Sequence, residues 1–270
     1  MVETVGSKSP FVHVNANRPT PKASCDLRLR KTSFRNGCEI PAWSIFLFGE
    51  DGNDTMIKLL VFDLDGTIVD SKAFWKTAVY KILRKNGYAF SKEKIEKEIG
   101  QKRLLATLKE LKVKEAERIK REINQYTDFK ACTLKPCPNI GEIKRLRLRY
   151  ATCLLTNSTR LYTTNILKKL GLELDFILGA EDVVNKIEGL KLIAKNFKVK
   201  PHEILYIADM FRDIEVARKF GCQVVLLRIC SWDKKKLIKS EAENVLLHAG
   251  KLYHYLKKLP NSSREPKLYL

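Results

Sequence analysis

The chain has 270 residues, of which 44% are hydrophobic and 30% charged, a composition typical of a globular protein. No apolar run approaches the roughly 18 residues that a membrane-spanning helix needs, so we expect no transmembrane segment in this chain. The formal net charge of +20 attracts anions, including phosphorylated metabolites and nucleic acid. Because aromatic residues are not interleaved with the basic ones, we interpret this charge as a solvated, lysine-rich surface.

Residues 1–55 precede the first regular pattern. They contain four prolines and no sustained helical or strand period, and only 43–48 (WSIFLF) is strongly apolar. That stretch lies too far from the N-terminus for a secretory signal, and the acidic residues nearby argue against a transit peptide. We expect an N-terminal extension that is disordered or not native, with Met56 as an alternative start.

From Met56 onward, short apolar segments alternate with stretches of helical composition. This alternation predicts a parallel sheet with helices on both faces. The expected strands are 57–63, 151–156, 176–178, 204–208 and 223–227, and the expected helices are 159–170, 189–197, 211–220 and 249–259.

The segment 71–135 breaks that alternation, because its apolar residues follow helical spacing throughout. Asn86 and Gly87 end its first helix, and Ser91 is a suitable N-cap for the next. We therefore predict an α/β fold: a doubly wound (Rossmann-like) parallel sheet core, with an inserted all-helical cap domain. The core comprises 56–70 and 136–259, the cap 71–135, and the C-terminal tail 260–270.

Two carboxylates mark the end of the first expected strand. Asp63 and Asp65 follow four apolar residues and precede Gly66-Thr67. Ligands of parallel α/β sheets bind outside the carboxyl ends of the strands, so both side chains can face one crevice. A metal-bound phosphate needs such a pair, in which one carboxylate attacks phosphorus and the other transfers protons.

The segment 61–67, VFDLDGT, resembles motif I of the haloacid dehalogenase superfamily, and candidates for its other motifs follow in order. Thr156 with Asn157 ends the strand LLT and is similar to motif II. Lys186 stands in the place of motif III, and Asp209 with Asp213, in DMFRD, is similar to motif IV. The resemblance covers about residues 56–259, and its overall pattern is that of the phosphoglycolate phosphatase-like group with a helical cap.

The resemblance implies a role for each of these residues. Asp63 is the expected nucleophile and Asp65 the expected acid and base, while Thr156, Asn157 and Lys186 bind the phosphate. Lys191, one helical turn further on, is the alternative lysine. The implied metal is Mg²⁺, a hard cation that prefers oxygen ligands. Its expected ligands are Asp63, Asp209, Asp213 and the backbone carbonyl of Asp65.

The resemblance also bears on the reaction and on the substrate. Asp65 favours a phosphatase over a dehalogenase, because an alkoxide leaving group needs a proton. A closing cap favours a small phosphorylated metabolite, hydrolysed through an aspartyl-phosphate. Two alternatives stay open: a phosphomutase acting on a sugar phosphate, and a nucleic-acid-binding protein with an end-processing or vestigial phosphatase site.

Seven cysteines are present, with no CxxC pair and no histidine beside the closest two, Cys132 and Cys137. This pattern argues against a zinc site and indicates free thiols in a reducing compartment. We therefore expect a cytoplasmic protein that is a monomer or a homodimer.

Overall fold

The computed structural model describes residues 57–100, 102–239 and 244–259. The predicted N-terminal extension (1–55) and C-terminal tail (260–270) lie outside the described residues. In chain order the described strands are β1 (Leu59–Phe62), β2 (Val69–Asp70), β3 (Lys135–Pro136), β4 (Ala151–Leu155), β5 (Phe176–Leu178), β6 (Ile204–Ala208), β7 (Gln223–Leu227) and β8 (Val245–Leu246).

Six of these strands form one parallel sheet in the order β5-β4-β1-β6-β7-β8. β1 is central: Leu59 pairs with Ala151 of β4 on one side and with Ile204 of β6 on the other. All four β1 residues are fully buried, as expected of a parallel strand that is covered on both faces. The prediction of a doubly wound α/β core is confirmed.

Helices separate the strands and cover the sheet. Buried apolar residues of the strands and of these helices form one hydrophobic core. The described helices are α1 (Lys72–Lys85), α2 (Lys92–Glu98), α3 (Leu104–Glu110), α4 (Ala116–Lys130), α5 (Ile140–Leu146), α6 (Arg160–Leu170), α7 (Lys186–Phe197), α8 (Phe211–Phe220), α9 (Lys234–Lys239) and α10 (Leu252–Lys258).

The inserted helices, α1 to α4, lie between β2 and β3. These two short strands pair antiparallel, Val69 with Pro136, and so bring the entrance and the exit of the insertion together. α1 ends at Lys85, next to the predicted Asn86-Gly87 stop, and the Ser91 hydroxyl accepts a hydrogen bond from the Lys94 N–H (3.1 Å) at the start of α2. The predicted helical insertion is thus present.

Several element boundaries differ from the predictions. α7 begins at Lys186, three residues earlier than expected, because the Asn185 side chain accepts a hydrogen bond from the Glu188 N–H (3.0 Å) and caps the helix there. The C-terminal helix starts as a 3₁₀ turn, Ala249–Lys251, before α10. α5, α9 and the two-residue strands β2, β3 and β8 were not predicted.

The five cysteines in the described ranges are free thiols, in agreement with the expectation for them. No helix among the described residues is both long enough and apolar enough to cross a membrane.

Candidate active site

Neighbouring strands bring the predicted aspartates to one edge of the sheet. Asp63 directly follows β1, and Asp209 directly follows β6, its hydrogen-bonded neighbour. Asp213 lies in the first turn of α8, one turn beyond Asp209. Residues 146 positions apart in the chain therefore meet at the carboxyl ends of the strands, where parallel sheets bind ligands.

These three aspartates form a compact acidic cluster. One carboxylate oxygen from each lies within 4.8 Å of the other two. All three side chains are buried: Asp63 is 7% exposed, Asp209 1% and Asp213 0%. Burying three carboxylates together is unfavourable unless positive charge compensates them.

Two oxygens of the cluster are free to bind a cation. Asp209 Oδ2 accepts the Trp232 N–H (2.7 Å), whereas Asp209 Oδ1 is buried with no hydrogen-bond partner among the described residues. Asp213 Oδ2 is likewise buried and unpartnered within the described ranges. Buried oxygens without donors, on hard carboxylate ligands, fit Mg²⁺.

The environment of the cluster raises the pKa of two of its carboxyls, those of Asp63 and Asp209, in the absence of a cation. Burial raises the pKa of Asp63, and this effect outweighs the opposing charge of Lys186. Burial, followed by the negative charge of Asp63, holds the pKa of Asp209 well above its ordinary value. A bound divalent cation would reverse both tendencies, because it favours the ionised form.

Lys186 is the cation that the chain itself places in the cluster. Its Nζ donates to Asp63 Oδ2 (2.8 Å), Asp213 Oδ1 (2.9 Å) and the Tyr206 hydroxyl (2.6 Å). Burial disfavours its charge, but Asp213 and Asp63 outweigh this effect and raise the pKa of Lys186, so it stays protonated. Lys191, in contrast, is exposed and pairs with Glu188 (2.9 Å).

Asp65 is held apart from the acidic cluster by three side-chain donors. Its Oδ2 accepts the Ser158 hydroxyl (2.6 Å), and its Oδ1 accepts the Tyr162 hydroxyl (2.9 Å) and the Trp75 indole N–H (3.1 Å). Trp75 belongs to α1, so the inserted helices help to fix this carboxylate. The Asp65 carboxylate is thus oriented without being one of the three clustered ligands.

The residues after β4 face the same cavity. Thr156 is buried, and its hydroxyl accepts the Ser158 N–H (3.1 Å). Asn157 Oδ1 accepts a hydrogen bond from Arg103 Nε (3.3 Å), and Arg103 also donates to the Val183 carbonyl (2.8 Å). A residue just before α3 of the insertion therefore bonds to the loop that carries the expected phosphate ligands.

The inserted helices cover part of the site. The cavity above the aspartates measures about 90 Å³, small enough to restrict what can enter. Gly100 packs directly against the Trp232 indole. The approach is so close that a Cβ atom added at Gly100 would lie 2.0 Å from Trp232 Cε3. The cavity is lined from the core by Asp63, Asp65, Thr156, Asn157 and Asp209, and from the insertion by Trp75, Arg103 and Thr107.

Residues 60–227, more than half of the chain, match the family model of haloacid dehalogenase-like hydrolases. The chain belongs to this family. The match begins in β1 and ends with β7, so it contains every residue of the site described above except Trp232. No curated protein matches the sequence of this haloacid dehalogenase-like hydrolase at a significant level.

Solved structures share the fold of this hydrolase. A haloacid dehalogenase-like family protein from Streptococcus pneumoniae is 19% identical, with a TM-score of 0.65 over 74% of this chain and 98% of that one. A predicted phosphoglycolate phosphatase from Haemophilus somnus is 20% identical (TM-score 0.60, 75% and 99% covered). CbbY from Rhodobacter sphaeroides, in complex with phosphate, is 14% identical (TM-score 0.62, 73% and 96% covered).

Four further residues of this hydrolase contact the site but do not stand out in the sequence. Tyr206 occupies the middle of an apolar strand, where the sequence predicts a tyrosine that packs in the hydrophobic core. Trp75 and Tyr162 lie on helices at spacings typical of packing residues, and Trp232 follows β7 outside the recognised motifs. Of these four, only Trp232 has a position that the sequence could have indicated. It lies in the loop after β7, and the loops after parallel strands converge on the ligand.

Proposed function

We propose that this hydrolase cleaves a small phosphate monoester in a magnesium-dependent reaction, through an aspartyl-phosphate formed on Asp63. One observation carries the proposal above all. Three buried carboxylates and one buried ammonium form one cluster at the carboxyl edge of the sheet. Two of those carboxylates, Asp63 and Asp209, line the small cavity together with a separately held carboxylate, Asp65. The family supports hydrolysis, and the neighbours named as phosphatases support phosphate as the group removed.

Asp63 is fixed in a position suited to a nucleophile. Its Oδ1 accepts the Leu64 N–H (2.9 Å) and its Oδ2 accepts Lys186 Nζ (2.8 Å), so its orientation is set before substrate arrives. A carboxylate oxygen forms the bond to phosphorus as the bond to the leaving alkoxide breaks. Preorganisation of this kind lowers the entropic cost of reaching the transition state.

Asp63, Asp209 and Asp213 would hold the magnesium ion, together with the carbonyl of Asp65. When bound, the ion offsets the repulsion between an anionic nucleophile and an anionic phosphate and neutralises charge on the phosphoryl oxygens. Lys186 supplies a second positive charge to the same oxygens. The Thr156 hydroxyl already accepts the Ser158 N–H, so its own proton is the group that it offers to a phosphoryl oxygen.

Asp65 moves the protons of both half-reactions. Its carboxylic acid protonates the leaving oxygen while Asp63 is phosphorylated, and its carboxylate then takes a proton from the water that hydrolyses the aspartyl-phosphate. The two steps restore Asp65 to its starting form. The hydroxyls of Ser158 and Tyr162 keep the side chain in place through both steps.

The enclosure by the inserted helices favours a small leaving group. Trp75, Arg103 and Gly100 contribute to a cavity of about 90 Å³, which limits the size of the group that can lie beside the aspartates.

The test is a screen of small phosphorylated metabolites that measures released inorganic phosphate with MgCl₂ and with EDTA. We expect at least one substrate to be hydrolysed with magnesium and none with EDTA. Transfer of the phosphoryl group to another hydroxyl without phosphate release would favour the phosphomutase alternative.

The basic charge requires a parallel measurement. Nucleic-acid binding to a diffuse lysine surface weakens steeply with salt, because counterions compete for the phosphates. We expect only micromolar or weaker binding at about 0.15 M salt. Submicromolar binding there, with no hydrolysis of any small phosphate, would replace the proposed function by the nucleic-acid alternative.

A further inference from the structure

We propose that Tyr206 is a positioning residue of this site, whose phenol orients Asp213 toward the metal and holds Lys186 beside the phosphoryl group. The inference rests on the proposed function for the role of Lys186, but its effect on the metal ligand can be measured independently. Tyr206 lies in the middle of β6, three residues before Asp209, and is fully buried.

The hydrogen bonds of the phenol have an unambiguous direction. The Lys186 ammonium can only donate, so the Tyr206 oxygen accepts from it at 2.6 Å. The single proton of the phenol is then directed to Asp213 Oδ1, at 3.2 Å. Tyr206 thus bridges the expected phosphate-binding lysine and an expected metal ligand.

Asp213 is left with one oxygen engaged and one available. Its Oδ1 receives hydrogen bonds from both Lys186 (2.9 Å) and Tyr206 (3.2 Å). Its Oδ2 is buried and has no partner among the described residues. Two donors on one oxygen fix the rotation of the carboxylate, and partners of this kind typically tune metal affinity by roughly 10- to 100-fold.

Lys186 has all three of its donors in use, on Asp63, Asp213 and Tyr206. A phosphoryl oxygen can bind this ammonium only by replacing one of these acceptors. If the Asp63 contact is exchanged when Asp63 reacts, Asp213 and Tyr206 still hold the ammonium in place. Without the phenol, a single side chain would have to do so.

Packing alone does not explain a hydroxyl at this position. The other four residues of β6 are apolar and fully buried, and a phenylalanine would fill the same space. Burying a hydroxyl is unfavourable unless it is hydrogen-bonded, and the bonds found for this one run to Lys186 and Asp213. The phenol therefore serves the site rather than the core.

The test is Tyr206→Phe in the full chain, with Tyr88→Phe as the matched control. Tyr88 also donates one hydrogen bond, to the Lys114 carbonyl (2.8 Å), but within the inserted helices and away from the acidic cluster. The dissociation constant for Mg²⁺ is measured by calorimetry without substrate, and folding is checked by circular dichroism. We expect Tyr206→Phe to weaken Mg²⁺ binding about tenfold and Tyr88→Phe to leave it unchanged.

A weakening of less than threefold in folded Tyr206→Phe would overturn the inference. If that variant does not fold, Tyr206→Met takes its place, because the flexible thioether side chain adapts to irregular space, and the same limits apply. An active wild-type enzyme with unchanged Mg²⁺ binding in the variant refutes the role of Tyr206 alone. A wild type that hydrolyses no phosphate, but loses Mg²⁺ affinity on substitution, refutes the proposed function and retains the metal-positioning role.

Discussion

Replacing Asp209 by asparagine should make the metal-free protein more stable while removing its response to magnesium. Asp209 is 1% exposed and lies within 4.8 Å of two other carboxylates. An asparagine of the same shape keeps an oxygen for the Trp232 N–H but removes one of three mutually repelling charges. The same change removes a ligand from the proposed metal site.

The size of the stabilisation follows from the geometry. Two ionised carboxylates whose oxygens lie within 4.8 Å of each other repel by at least about 3.5 kcal/mol at an effective dielectric constant of about 20. Lys186 and partial protonation offset some of this repulsion, so we expect a net gain of about 2 kcal/mol in the free energy of unfolding. For a chain of this size, that corresponds to a Tm increase of roughly 4–8 °C.

The stabilisation should depend on pH with a definite sign. The pKa of Asp209 in the folded protein lies well above its ordinary value of 3.8. The folded state therefore holds the proton more tightly, and the metal-free wild type loses stability as pH rises above about 4 toward the folded pKa. The advantage of Asp209→Asn should be small near pH 4 and should grow until the pH passes the folded pKa of Asp209.

Magnesium should stabilise the wild type but not the Asp209→Asn variant. At a concentration 100-fold above its dissociation constant, a ligand stabilises the folded state by about 2.7 kcal/mol, so the wild-type Tm should rise by roughly 5–10 °C. Asp209→Asn should show almost no such rise. The assay is thermal unfolding of EDTA-treated protein between about pH 4.5 and 8, with and without MgCl₂.

Asp70→Asn is the control, because Asp70 is exposed and its substitution removes one negative charge without changing the cluster. A lower Tm for metal-free Asp209→Asn than for wild type would contradict the repulsion argument. A full magnesium response in that variant would show that Asp209 is not a ligand.

Three further predictions test other parts of the site. Asp63→Asn should abolish turnover and leave the fold intact, since an amide cannot attack phosphorus; activity within tenfold of wild type would eliminate Asp63 as nucleophile. Lys186→Met should lower kcat/KM more than about 100-fold, whereas exposed Lys191→Met should stay within about threefold, and equal losses would reopen the choice between the two lysines. Gly100→Ala should lower Tm more than Gly87→Ala. Both glycines have positive φ (88° and 81°), but only at Gly100 would the added Cβ clash with the Trp232 indole, 2.0 Å from its Cε3.

Much of the fold could be predicted because its strands are buried on both faces. β1, β4, β6 and β7 are nearly continuous apolar runs bounded by polar residues, a pattern that short parallel strands require. β2, β3 and β8 have two residues each and could not show any period. Their existence depends on tertiary pairing, as between Val69 and Pro136, which one sequence does not display.

The sequence could likewise nominate only those site residues that stand in recognisable motifs at or shortly after strand ends. The order of Asp63, Thr156, Lys186 and Asp209 along the chain is a local signal repeated after successive strands. Tyr206 carries no such signal, because its role depends on which side chains lie beside it across α7 and α8. Hydrogen bonds between distant residues appear only once the helices are packed.

The charges of the site explain why its stability and its proposed activity oppose each other. Three buried carboxylates and the Lys186 ammonium leave two net negative charges, which one divalent cation balances. Without the cation, the core must either tolerate repulsion or take up protons, and the raised pKa values of Asp63 and Asp209 reflect that strain. A cluster designed only for stability would contain an apolar or amide side chain in place of one aspartate. Each of the three aspartates is also held on one side by a donor: the Leu64 N–H, the Trp232 N–H or the Tyr206 hydroxyl. The presence of all three is explained by a site whose preorganised binding of metal and phosphate lowers the stability of the fold.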